Sequence, residues 1–84
     1  MDDKKYLEKE IGRVILMEGC IFLHPDANSL DHDLCAIEIM DLLTLAKRKN
    51  IATTNYISNI VEINKKTNGL LQEAIERNYP YNLN

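Results

Sequence analysis

Val14-Ile15-Leu16-Met17-Glu18-Gly19-Cys20-Ile21-Phe22-Leu23-His24-Pro25 is the stretch on which the fold turns. With successive residues about 100° apart, Leu7, Ile11, Val14, Ile21 and Phe22 fall in one apolar stripe, so the segment from about Asp3 to Leu23 reads as a helix. Pro25 ends it, because the residue before a proline is driven out of the helical region. The apolar run from Val14 to Leu23 is interrupted by Glu18 and is about half the roughly 20 residues a membrane span needs. Within that run apolar side chains point in nearly every direction, and such a helix wants cover on more than one side. The side away from the main stripe carries Gly12, Leu16, Gly19, Cys20 and Leu23, with glycines that admit a close neighbour. Few other helices are available in so short a chain, so a second subunit is the expected cover and the protein is expected to self-associate; the alternative is a four-helix monomer in which Asn68-Gly69 divides the last segment and the extra helix covers that face.

Outward from this helix, Asn28 or Ser29 offers an N-cap, and Asp31 and Asp33 suit the positive end of a second helix. That helix reads to about Lys49-Asn50 with an apolar face of Cys35, Ile39, Leu42, Leu43 and Ala46. A third segment begins at Thr53 or Thr54 and carries Tyr56, Ile60, Ile63, Thr67, Leu70 and Ala74 at spacings of four and three. Asn68-Gly69 interrupts it and Lys65-Lys66 resembles a helix end, so the segment is either one kinked helix or two short ones. Tyr79-Pro80-Tyr81 closes it. No alternation of period two is present. The expected fold is all-α, a small bundle of three helices, or four if the chain breaks at Asn68-Gly69, with residues 1–84 as a single helical domain.

With 84 residues, 45% hydrophobic and 27% charged, the chain has room for one modest core and none for a multi-step enzyme. The net charge of −3 hides an asymmetry: ten acids face four bases up to Asp41, and six bases face three acids beyond it. A bipolar chain of this kind suits antiparallel self-association, or a partner that touches one end, better than it suits coating nucleic acid. Two cysteines without a preceding signal sequence point to a reducing cytoplasm and free thiols.

Two carboxylates stand among apolar neighbours: Glu18 in the first stripe, and Asp41 between Leu34, Ile37 and Leu45. Each must be paired, hydrogen-bonded or placed at a rim, since burying a bare carboxylate costs several kcal/mol. All the cysteine and histidine falls in Cys20, His24, His32 and Cys35, one pair at i,i+4 and the other at i,i+3. A short hairpin that joined the pairs would make a tetrahedral zinc site; separately, the cysteines are ordinary core thiols. No phosphate loop, nucleophile triad or paired-carboxylate motif is present, so no cofactor is expected and catalysis has no support.

His24-Pro25-Asp26, between two helices, resembles the His-Pro-Asp tripeptide of J-domain cochaperones, which stimulates a chaperone ATPase. The resemblance covers these three residues. The basic helix that precedes the tripeptide in that family is here the apolar run from Val14 to Leu23. On their own, the residues read as a helix stop and a turn. The stretch from Leu45 to Lys66 has a faint helix-turn-helix pattern, with Lys47, Arg48, Lys49, Lys65 and Lys66 as phosphate contacts, although Lys49 and Asn59 occupy positions that such a motif keeps apolar.

The expected function is that of a small cytoplasmic binding or regulatory protein without enzymatic activity, which occludes or sequesters a partner in the manner of an inhibitor, an immunity protein or an antidefence factor. Asp26, Asp31, Asp33, Glu38 and Asp41 would form the face offered to a basic protein surface. A DNA-binding regulator and a zinc-stabilised helical module are the alternatives.

Overall fold

The computed structural model describes residues 3–79, which form four helices. Helix α1, Asp3–Leu23, stops at His24, whose N–H bonds the Ile21 carbonyl at 3.1 Å just ahead of Pro25. Helix α2, Ser29–Arg48, starts on a capping box: Asn28 Oδ1 accepts from the Asp31 N–H and Asp31 Oδ2 accepts from the Asn28 N–H, both at 3.0 Å. It ends in a Schellman turn. Asn50 is left-handed at φ 58°, and the Ile51 N–H reaches back to the Ala46 carbonyl at 2.9 Å.

Helix α3, Thr54–Lys66, ends the same way, with Asn68 at φ 57° and the Gly69 N–H on the Asn64 carbonyl at 2.9 Å. Gly69 is left-handed too, at φ 89°, a conformation that a Cβ would strain. Helix α4, Leu70–Asn78, follows directly. The third segment therefore breaks at Asn68-Gly69, and the bundle has four helices. Of the expected stop at Tyr79-Pro80-Tyr81, Pro80 and Tyr81 lie outside the described residues.

Helices α1 and α4 each pack on both α2 and α3, so the order around the bundle is α1, α2, α4, α3. The backbones of the diagonal pairs approach least closely, although α2 and α3 both contribute side chains to the core. One of those pairs is α2 with α3, the two helices that a helix-turn-helix would pack against each other. Instead α3 lies along α1 in the same direction: Gly12 faces Tyr56, and Gly19 faces Ile63 seven residues further on. The helix-turn-helix pattern of Leu45 to Lys66 therefore lacks a closely packed α2–α3 pair.

The side of α1 that becomes buried is Ile11, Ile15, Gly19 and Phe22. Ile21, expected in the core stripe, is 46% exposed. Its helix is apolar all round, so periodicity could not choose among its faces. Leu70 is likewise exposed while Leu71 and Ala74 are buried, because the left-handed residues at 68 and 69 reset the helical phase.

The core forms two clusters. Ile11, Ile15, Ala46, Ile51 and Tyr56 make one; Phe22, Cys35, Ala36, Ile39, Ile63, Leu71 and Ala74 make the other, and Ile60 packs against both. No helix among the described residues is long and apolar enough to cross a membrane.

Candidate functional site

The glycine side of α1 does not wait for another subunit. A Cβ on Gly19 would stand 2.6 Å from Ile63 Cδ1, and one on Gly12 would stand 3.4 Å from Tyr56 Cε1. Both glycines serve the close approach of α3 within the chain, which corrects their assignment to a self-association surface. Leu16, Cys20 and Leu23, grouped with them in the sequence, remain exposed.

The expected metal ligands are not brought together either. Cys35 is buried in the core beside Glu18; burial chiefly, and the Glu18 carboxylate next, push its thiol up to about 12. His32 stacks on Phe22 with ring centroids 4.1 Å apart. Only Cys20 and His24 share a surface, the cleft at the α1–α2 turn. Among the described residues no three His, Cys, Asp or Glu side chains are grouped to hold a metal ion, so the Cys20, His24, His32, Cys35 set is corrected to one core thiol, one stacked ring and two surface groups. Neither carboxylate singled out in the sequence is buried bare. Glu18 is half-buried at the α1–α2 seam, and Asp41 is exposed with the Tyr79 hydroxyl at a long 3.4 Å.

The five acids of the expected partner face separate by role. Asp33 accepts from Asn78 Nδ2 at 3.0 Å and Arg77 Nε at 2.9 Å, and so holds α4 on α2. These hydrogen bonds, Asn78 first and Arg77 second, lower its carboxyl below the usual value. Asp31 closes the capping box and also lines the cleft of about 350 Å³ formed with Cys20, Ile21, His24, Asp26 and Ala27. Asp26 sits in the turn, where its N–H donates to His24 Nδ1 at 3.1 Å. Asp26, Glu38 and Asp41 are exposed.

What the charge pattern missed is the apolar content of that same face. Leu30 is 64% exposed, Leu34 58%, and Ile37 is also on the surface. Leu30, Leu34, Ile37 and Asp41 follow at spacings of four, three and four, so they share one side of α2, away from buried Cys35, Ile39 and Ala46. The spacing was legible, but an apolar stripe on a helix is normally spent on the core. Comparison with known protein families, curated proteins and solved structures finds no match to this chain.

Proposed function

We propose that the protein is a small cytoplasmic binding and regulatory protein without catalytic activity, which occludes or sequesters a protein partner through the outer side of α2. The observation that carries the reading is the exposed stripe Leu30, Leu34, Ile37 flanked by Asp26, Asp31, Glu38 and Asp41. An apolar strip rimmed by charges of one sign is the usual makeup of a protein-binding surface: the leucines supply the desolvated centre, and the carboxylates steer and orient a basic counterpart. Asp33 stands apart from this role, being engaged by α4. The action fitted to such a surface is that of an inhibitor, an immunity protein or an antidefence factor, which blocks what it covers.

The test compares wild type with Leu34→Asp and Glu38→Lys as immobilised baits in lysate of the native host. Proteins retained by wild type alone are then purified and titrated. Binding that Leu34→Asp abolishes, and that weakens as salt is raised, supports the reading. Identical retention by all three baits overturns it.

A further inference from the structure

We propose that the outer stripe of α1 is a homodimer interface, across which a second copy of this chain lies antiparallel. Lys9, Arg13, Leu16, Cys20 and Leu23 follow one another at spacings of four, three, four and three, the register of a seam between two helices. All five are exposed, and Met17 and Ile21 flank the stripe at 49% and 46% exposure. The chain's own helices cover the other sides of α1: α3 takes the glycine side, and α2 lies against Glu18 through Cys35. The stripe lies on α1 and shares only the acidic turn, Asp26 and Asp31, with the partner face proposed on α2; the inference does not rest on that reading.

Charge fixes the occupant and its direction. Along α1 the stripe is basic at Lys9 and Arg13 and apolar from Leu16 to Leu23. It then meets the acidic turn, where Asp26 and Asp31 line the cleft beside Cys20, Ile21 and His24. A second copy turned end for end sets Lys9 against the partner's acidic turn twice by symmetry, with the leucines meeting between; a parallel copy would set like charges together. A two-fold interface must be self-complementary in this way. Arg13 also lies 3.0 Å from its neighbour Glu10, so Lys9 is the sharper probe of the pair.

Size exclusion with light scattering, from about 5 to about 500 µM chain, brackets a micromolar dissociation constant. The mass is expected to climb with concentration from 9.7 kDa towards twice that value. Leu16→Glu should stay monomeric throughout with unchanged far-ultraviolet circular dichroism, since Leu16 is already 54% exposed in the single chain. Lys9→Glu and Asp26→Lys should each weaken the dimer by about fivefold, and the double variant should restore it. A wild type that remains monomeric at every concentration overturns the proposal. So does a dimer indifferent to Leu16→Glu, or a double variant no tighter than either single one.

Discussion

The two halves of the core are closed by different chemistry, and the difference predicts where the bundle opens. At the Tyr56 end, Ile11, Ile15 and Ile51 pack around Ala46, and the Tyr56 hydroxyl donates to the Glu8 carbonyl at 2.7 Å across 48 residues of sequence. That bond is neutral and its partner is backbone, so the closure does not titrate in the acid range. At the α4 end, the small residues Ala36 and Ala74 let α4 settle on α2; the Gln72 N–H donates to Asn64 Oδ1 at 2.8 Å on the α3 side, and the ionic fastening to α2 is the carboxylate of Asp33 under Arg77 and Asn78. A helix of nine residues is too short to hold its own shape, so α4 depends on Leu71, Ala74 and that carboxylate. The first half is built to melt with the whole molecule. The second is built to open locally at lower free energy.

The largest effects should come from the two buried anchors. Ile15→Ala removes a fully buried side chain at the centre of α1 and should cost about 3 kcal/mol of global stability, read from urea unfolding. Leu71→Ala removes comparable volume, yet its cost is capped by the free energy at which α4 detaches. Hydrogen exchange should show it as lost protection confined to α4. Equal global losses for the two variants would break the distinction between the halves. Tyr56→Phe comes next: deleting one partly buried hydrogen bond should cost about 1 kcal/mol, and should hasten exchange at the start of α3 while leaving α4 as in wild type.

How much of this was legible in the sequence divides along a physical line. Most helix boundaries were, because they are set by neighbours: Pro25 stops α1, Asn28 caps α2, and α2 ends at Asn50; the break at Asn68-Gly69 was left open, since only the left-handed backbone there decides between a kink and a stop. The faces of α1 were not. Ile21 and Ile15 are equally apolar and adjoining helices decide between them, so the choice of Ile15 for the core depends on where α3 lands. The glycines of α1 signalled a close approach correctly, but spacing alone could not say that the neighbour was Ile63 of the same chain. The acid-rich face was readable as charge. That Asp33 is spent on α4 while Asp26, Glu38 and Asp41 stay at the surface required the fold to bring residue 77 back to residue 33.

The smallest effect is the most selective. Hydrogen bonds from Asn78 and then Arg77 hold the Asp33 carboxyl below its ordinary value in the folded chain, so the unfolded chain takes up that proton at higher pH than the folded one does. The resulting stabilisation is complete above the ordinary carboxylate pKa of about 4 and is lost as pH falls through the depressed folded value. Because the carboxylate fastens only α4, acid should loosen that helix before the Tyr56 end. Exchange measured at a series of pH values should show α4 amides losing protection ahead of those around Ile15, and added salt should mimic the trend weakly, since the pair is partly exposed. Asp33→Asn separates charge from hydrogen bonding: an acceptor oxygen remains for Asn78, but no proton binds. Protection of α4 in this variant should be lower than wild type near neutrality, flat with pH, and equal to wild type in strong acid. Wild-type halves that lose protection together as the pH falls would show that the carboxylate is not the weak fastening and that the two ends form one cooperative core.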